Sequence, residues 1–446
     1  MLNKIKKLIP KKIFKFFQPP YHYVLAFLGA LIYGFPSKKL YIIGVTGTKG
    51  KTTTSNLIHH ILNSAGFKTG LTTTVNFKIG DKEWQNNFKQ TMLGRFGLQK
   101  LLAQMVKDGC KYAVVETSSE GILQYRHKFI DYNAAVFVNL SPEHLERHGG
   151  FENYRDEKVK LFEKVAKKKE GVGIYNFDDS NVEYFLKPKI KNKWGYSLKN
   201  NFQSASWRTD SNFQSILQIE NVKLNSSGSE FLANGVNYKT NLIGEFNIYN
   251  CAATICVALS QNIPVEKIQK SLADFKSVSG RMEVIDSEKG FSTIVDYAHE
   301  PSSLEAVYKA AKETQMGKSG GKMICLLGSA GGGRDKWKRP VMGKIAAQYC
   351  DEIILTNEDP YDENPSLILD EIESGIATFK KGGEGDLAAV YKIIDRKEAI
   401  KKAISLAEKG DVVVLTGKGG ETTMCIENNK KIPWDETKIV KEILKN

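Results

Sequence analysis

Tyr41-Ile42-Ile43-Gly44-Val45 runs directly into Thr46-Gly47-Thr48-Lys49-Gly50-Lys51-Thr52-Thr53-Thr54, and the reading of this stretch decides the fold. The first five residues are a short, β-branched, apolar run of the kind that forms a buried strand. A glycine-punctuated loop follows, then a segment with helical character. Glycines let backbone N–H groups approach a phosphate, and the start of a helix favours an anion. Lys51 is placed to reach a terminal phosphate and Thr52 to ligate Mg²⁺. Val45 stands where a strict phosphate-loop pattern has glycine, so this loop is a variant. A bare Gly-Lys-Thr has many chance matches; strand, loop and helix in that order do not.

Working outward, six more apolar runs alternate with helical segments: Tyr112–Val115, Ala134–Val138, Thr293–Val295, Met323–Leu327, Ile353–Leu355 and Val412–Leu415. Such alternation predicts an α/β protein with mostly parallel sheets and helices on both faces. Ligands in these folds sit beyond the carboxyl ends of the strands, and this chain loads those ends with polar residues. Glu116 closes one strand, in Glu116-Thr117-Ser118-Ser119, where a carboxylate can hold Mg²⁺ directly or through water. Asn139 closes the next and leads into Pro142-Glu143-His144. Read alone, His144 is a structural histidine and Lys158, 14 residues on, a solvated lysine. Residues 195–243 are polar and turn-rich, a small β excursion, and the composition breaks at Ser277–Gly280. The expected organisation is an extension over 1–40, a P-loop-type ATP-binding domain over 41–278 and a smaller Rossmann-like α/β domain over 279–446.

Composition excludes other classes. In 446 residues, 41% hydrophobic and 26% charged is neither a disordered chain nor a polytopic membrane protein. The net charge is +14, but residues 1–40 carry eight lysines and no acid, so the body is near neutral and shows no nucleic-acid footprint. The six cysteines (110, 251, 256, 325, 350 and 425) have neither metal spacing nor a C-x-x-C pair, which reads as a reduced, cytoplasmic interior. Within 1–17, Leu2, Ile5, Ile9, Ile13 and Phe16 have helical spacing, interrupted by Pro10. Beyond Pro19-Pro20, the uncharged stretch Tyr23–Phe35 spans about 20 Å as a helix, short of a bilayer's ~30 Å. Two readings follow: residues 1–35 lie peripherally on the inner face of a membrane, with lysines toward anionic lipid, or the stretch packs on the next domain.

Taken together, the strings resemble the Mur ligase family, ATP-dependent amide-forming enzymes of peptidoglycan precursor synthesis. They are Gly47 to Thr53, Glu116 to Ser119, Asn139 to His144, Tyr154 to Phe162, Gly244 to Asn250, Gly280-Arg281-Met282-Glu283, Asp296-Tyr297-Ala298-His299, Arg334-Asp335 with Lys338-Arg339-Pro340, Asp395-Arg396 and Gly417-Lys418-Gly419. The branch they look most like is the UDP-N-acetylmuramoyl-tripeptide synthetases, which add the third stem residue. The resemblance implies that Gly47, Thr48, Lys49, Gly50, Lys51, Thr52 and Thr53 hold ATP phosphates. It implies one Mg²⁺ on Thr52 and Glu116, and a second on His144 and Lys158, the latter N6-carboxylated by CO₂. It makes Asn250 an adenine contact, Asp296 a ribose contact and Arg281 a phosphate contact from a closing C-terminal domain. Lys51, Lys158, His144 and Arg281 are then the catalytic set. Thr91, Ser118 and Arg126, with Arg334, Asp359, Gly417 and Glu421, are substrate contacts for a muramyl-peptide acceptor and an amino acid.

Three departures qualify that implication. The branch carries a uridine-binding domain before the phosphate loop, and 40 residues cannot form a domain of ~100; either other surfaces bind the UDP part weakly or, as a basic, apolar front suggests, the acceptor is lipid-linked. The amino-acid selector of the diaminopimelate-adding enzymes, Asp-Asn-Pro-Arg, reads Glu358-Asp359-Pro360-Tyr361, losing an arginine grip on a distal carboxylate. The cluster Glu358, Asp359, Asp362 and Glu363 is then either a pocket for lysine or ornithine or a solvated acidic loop. Finally, Gly417-Lys418-Gly419-Gly420-Glu421 lacks the usual histidine but keeps Glu421 to meet an α-ammonium, and Glu120 replaces another histidine. Alternative readings are a folylpolyglutamate synthetase-like ligase and a membrane-associated ATP-binding scaffold without ligase activity.

Overall fold

The strand at the heart of the sequence argument, β1 (Tyr41–Thr46), has Ile42, Ile43 and Val45 fully enclosed. A continuous apolar run is what a strand covered on both faces requires. The computed structural model of the chain describes residues 11–88, 90–143, 145–199, 213–313, 320–333, 335–377 and 388–445. The further strands of its larger sheet are β2 (Thr69–Thr72), β3 (Asn76–Ile79), β4 (Lys82–Gln85), β5 (Tyr112–Glu116), β6 (Tyr132–Phe137), β7 (Val172–Asn176), β8 (Asn192–Ser197), β9 (Phe213–Asn225), β10 (Gly228–Ala233) and β11 (Val236–Thr240). Their order is β11-β10-β9-β8-β7-β6-β1-β5-β2-β3-β4. Both neighbours of β1, β5 and β6, run parallel to it, and the chain steps from β1 to β2 on one side but from β5 across β1 to β6 on the other. That makes the end of β1 a topological switch point, where a crevice opens beyond the sheet. The antiparallel meander β2-β3-β4 has no counterpart in the sequence reading, because strands of four residues with mixed polarity carry no period.

Four helices position the site in this part of the molecule: α1 (Lys11–Ile32), α2 (Lys51–Ser64), α3 (Arg95–Lys107) and α4 (Phe151–Val165). Leu98, Leu102 and Met105 of α3 and Leu161, Phe162 and Val165 of α4 join Ile42, Ala135 and Phe137 in one core cluster. Helix α1 runs unbroken through Pro19 and Pro20. Proline removes a donor from the carbonyl four residues earlier. Both prolines are exposed, so water can serve the freed carbonyls of Lys15 and Phe16. One side of the segment packs on the body of this unit. Ala26 and Ala30 pack inward, and Gly29 lies so close to α3 that an added Cβ would stand 3.2 Å from the Arg95 carbonyl. Phe17, Tyr21, Val24, Leu28, Leu31 and Ile32 stay exposed. Among the described residues no helix is long and apolar enough to cross a membrane.

The chain divides into two compact units, the first holding residues up to Asn221 with Phe231–Tyr238 and Tyr249–Phe275. The second holds Val222–Glu230, Lys239–Ile248 and everything from Lys276 on. Its sheet comprises β12 (Glu283–Asp286), β13 (Ser292–Val295), β14 (Met323–Leu327), β15 (Glu352–Leu355), β16 (Ala389–Lys392) and β17 (Val412–Leu415), ordered β12-β13-β17-β14-β15-β16. All pairs but the first are parallel. A hairpin of β18 (Thr423–Ile426) and β19 (Lys430–Pro433) follows. Cys325 of β14 and Cys350, which ends the helix Lys338–Tyr349, form a disulfide, correcting the expectation of uniformly reduced cysteines. The crossover from β14 to β15 brings these two sulfurs together, and a 25-residue separation leaves no signature in the sequence. Cys110, Cys251, Cys256 and Cys425 are buried thiols outside any disulfide.

Candidate active site

The loop after β1 is held from the end of the adjacent strand β6. Asn139, just beyond β6, accepts the Thr48 and Lys49 amides on its side-chain oxygen at 3.2 and 2.9 Å. Its side-chain amide donates back to the Lys49 carbonyl at 3.2 Å. The Thr48 hydroxyl lies 3.0 Å from the Tyr154 hydroxyl of α4 and accepts the Ser141 amide at 2.9 Å. Gly50 then turns the chain into α2 with φ 76°, and an added Cβ there would stand 2.3 Å from Asn250 Oδ1. Only glycine meets both demands. Asn250 also accepts the Thr54 hydroxyl at 3.1 Å, so this residue braces the start of α2. Amides at the start of a helix have no carbonyl four residues back, and they make the loop a seat for an anion.

Below the loop, Thr52 donates to Glu116 at 3.0 Å, and Glu116 also accepts the amide and hydroxyl of Thr74 at 2.9 and 3.0 Å. Both Thr52 and Glu116 are buried. A hydroxyl and a carboxylate at the end of a phosphate loop are hard oxygen donors that fit Mg²⁺, which keeps water and phosphate as its other ligands. Among the described residues no cluster of three or more His, Cys, Asp and Glu side chains gathers as a self-sufficient metal cage. His144 lies outside the described residues, as does Arg334.

Lys158 is the surprise of α4. It is 1% exposed, donates to the Gly47 carbonyl at 2.7 Å and stands 4.5 Å over the Tyr154 ring. Burial pushes its pKa well below the usual lysine value, and the Lys51 charge pushes it further down, against Glu143 and Glu116. A buried amine so disposed is readily neutral, and a neutral amine has the lone pair that CO₂ needs. The cations that disfavour the ammonium would favour the resulting anion.

A cleft of about 420 Å³ opens beside this lysine. Lys51, Lys158, Thr91, Ser118 and Arg126 all line it, five of the residues singled out in the sequence. Gln90, Met92, Gln124, Glu143, Arg147 and Tyr154 also line it, and nothing in the sequence pointed to Gln90, Met92, Gln124 or Arg147. Arg126 is held in place by Gln90 Oε1 at 3.0 Å, Gln124 Oε1 at 2.7 Å and the Met92 carbonyl. Lys49 pairs with Glu143 at 2.9 Å and Arg147 with Glu120 at 3.1 Å, leaving the cleft with a cationic lining suited to an anionic substrate.

In the second unit, the remaining candidates gather beyond the carboxyl ends of β13, β15 and β17. Asp296 accepts the Met282 and Ala298 amides at 2.8 and 2.7 Å, and the Arg281 guanidinium lies 4.3 Å over the Tyr297 ring. Fully buried Lys418 donates to Asp359 at 2.8 Å, Glu421 at 2.5 Å and the Thr423 carbonyl at 2.9 Å. Asp359 also accepts the Cys425 amide at 2.7 Å. The acids that read as a pocket or a solvated loop are instead largely engaged by the chain itself: Asp362 accepts the Asn428 amide, and Glu363 pairs with Arg339 and Lys336.

Glu358 differs: its buried Oε2, close to Gly417, has no hydrogen-bond partner among the described residues. Burial raises its pKa to about 7, against the pull of Lys338 and Lys418. The folded protein therefore holds this proton more tightly than the unfolded chain does. The associated stability is complete below the ordinary value of 4.5 and is lost as pH rises through about 7. Glu358→Gln should remove that dependence. Urea unfolding at about pH 5 and about pH 8 should show the wild type losing on the order of 3 kcal/mol more than the variant. Parallel losses would show that Glu358 is ionised throughout.

Comparison with known proteins fits this geometry. The family model of the Mur ligase middle domain matches residues 45–258, and that of the Mur ligase glutamate ligase domain matches 280–419. The UDP-N-acetylmuramoyl-L-alanyl-D-glutamate–2,6-diaminopimelate ligase of Syntrophomonas wolfei is 36% identical over 425 residues, covering 94% of this chain and 81% of the relative. The chain belongs to the Mur ligase family. Its enzymes are ATP-dependent ligases, and their fold is the α/β architecture described above. A solved diaminopimelate ligase structure superposes with a TM-score of 0.61 at 29% identity, covering 91% of this chain and 78% of that one. Mycobacterium tuberculosis folylpolyglutamate synthase, complexed with ADP and AMPPCP, gives 0.65 at 16% identity, covering 88% and 92%. That likeness is one of fold alone.

Within this Mur ligase, sequence reasoning under-read two residues. Asn139 was noted as a strand terminus, yet it clamps the phosphate loop from 90 residues away. Arg396 stood in a family string without a role. It is buried and binds Glu436, the Asn357 carbonyl at 3.0 Å and the Thr416 carbonyl at 2.7 Å. Those two carbonyls immediately precede Glu358 and Gly417, so Arg396 fixes both loops at their roots.

Proposed function

We propose that this enzyme joins an amino acid to the carboxylate of a muramyl-peptide acceptor in peptidoglycan precursor synthesis, adding the third stem residue. The observation that carries the reading is the cleft shared by Lys51, Lys158, Thr91, Ser118 and Arg126, with the phosphate loop at its edge. An acceptor carboxylate oxygen attacks the γ-phosphorus of ATP, the bond to the β–γ bridging oxygen breaks, and ADP leaves. The amino-acid nitrogen then adds to the acyl carbon, gives up a proton, and the carbon–oxygen bond to phosphate breaks. Lys51 offsets charge on the transferring phosphoryl group, and Arg126 orients the acceptor. Mg²⁺ held by Thr52 and Glu116 would neutralise phosphate charge, which is chiefly an electrostatic contribution. Lys158 acts as its N6-carboxylate. Its burial beside Lys51, with a depressed amine pKa, supports that role.

The domain reading is 1–40 as an extension, 41–278 as the ATP-binding domain and 279–446 as the domain that receives the amino acid through Gly417 and Glu421. Because Asp359 is tied to Lys418 and the Cys425 amide, Glu358 is the carboxyl group of that loop best placed to read the amino-acid side chain. The enzyme is read as cytoplasmic, with residues 1–35 in peripheral contact with the inner face of the membrane. An amino-acid panel assayed for phosphate release with muramyl-dipeptide acceptors tests the ligase reading. Release should require both acceptor and amino acid, with a product heavier by one residue. Phosphate release indifferent to both would leave an ATPase or a scaffold.

A further inference from the structure

Helix α1 has two opposed faces. Ala30 is 0% and Ala26 2% exposed against α3, whereas Phe17, Tyr21, Val24, Leu28 and Leu31 recur at alternating steps of four and three on the far side. Their exposures run from 38% to 61%, and Ile32 beside them reaches 65%. Phe27, 40% exposed, widens the patch. The stripe extends about 21 Å along the helix. Contiguous exposed apolar surface of this extent marks an interaction face.

Charge identifies the occupant. Exposed Lys38 and Lys39 follow the C-terminal end of the stripe, six further lysines lie in residues 1–15 before it, and the first acidic residue of the chain is Asp81. A second copy of this helix would bring lysine-rich ends together in either orientation, and the patch is broader than a two-helix seam. A surface that is apolar within and anionic at its edge satisfies both features, which is the interface of an anionic bilayer.

The opposite side of α1 is fastened to the cleft wall. Its His22 Nδ1 contacts the Arg95 guanidinium, which donates to the Gln124 carbonyl at 2.6 Å. The Gln124 side chain in turn accepts Arg126, and both line the cleft. We infer that α1 is an in-plane membrane anchor that holds the acceptor cleft against the bilayer, and that the acceptor is a muramyl peptide carried on a membrane lipid. The inference rests on the ligase reading for its substrate and on α1 alone for its docking face.

The test uses the full chain and the Val24→Glu/Leu28→Glu variant, whose changes fall on the outer face. Pelleting is measured with vesicles of phosphatidylglycerol and phosphatidylcholine and with phosphatidylcholine alone. Ligation is measured with a UDP-linked muramyl dipeptide and with the same peptide on a polyprenyl diphosphate in vesicles. The wild type should pellet with the anionic vesicles, and the variant should partition about a hundredfold more weakly. The variant should match the wild type's melting temperature and its turnover of any soluble acceptor, but fall at least tenfold on the vesicle-borne one. A wild type that stays in the supernatant, or that forms a dimer the variant abolishes, overturns the docking face. Use of the UDP-linked acceptor alone overturns the lipid-borne assignment. No ligation of either acceptor overturns the ligase reading and the acceptor assignment with it, while pelleting still decides the docking face.

Discussion

Lys158→Ala is expected to lower ligation by about a thousandfold while leaving the melting temperature within a few degrees of the wild type. The side chain is enclosed between the Gly47 carbonyl and the Tyr154 ring, so no surface group can replace it. Its neighbourhood disfavours an ammonium, through burial first and the Lys51 charge second. The same neighbourhood favours a carboxylate attached at that nitrogen. Lys158→Arg separates the two roles, because it keeps charge and length but its guanidinium does not form a stable carbamate. Arginine should be as inactive as alanine, and intact protein should be heavier by one CO₂ only in the wild type. An arginine variant that ligates would show that a cation is needed there, and an undiminished alanine variant would remove Lys158 from the chemistry.

The second large effect is on stability. Arg396 and Glu436 are both 0% exposed and pair at 2.5 Å, with Trp434 Nε1 donating to the same carboxylate at 2.6 Å. Arg396→Ala strands that carboxylate in the interior and leaves the Asn357 and Thr416 carbonyls without their donor. Removing one partner of a buried pair costs about 3–5 kcal/mol, far more than the intact pair contributes. Urea unfolding followed by tryptophan fluorescence should show this loss. Arg396→Met/Glu436→Leu should recover much of it, since no charge remains buried. Failure of the double variant to recover would assign the cost to the two carbonyls. A near-neutral single variant would mean that water reaches Glu436.

Much of the fold was readable because its signals are local. The seven expected strands appear within two residues of their predicted limits, since each is a short apolar run set off by polar residues or glycine. The phosphate loop was readable for the same reason: the φ of Gly50 and the start of α2 depend on residues that adjoin it. Glu116 was marked by its place at a strand end, whereas Lys158 and Arg126 became candidates only through the family resemblance.

The remainder depended on residues far apart in the chain. The sequence by itself determined a phosphate loop at the end of a buried strand, two α/β units and a basic, apolar start. Tertiary structure alone decided that Asn139 clamps the loop, that Lys158 is buried, that Lys418 neutralises Asp359 and that Cys325 meets Cys350. It also decided that α1 turns alanines inward and aromatics outward. Periodicity and turn chemistry are written within a few residues of one another. Burial, charge compensation and proximity between strand ends arise only when segments tens of residues apart share one surface, and no local pattern encodes them.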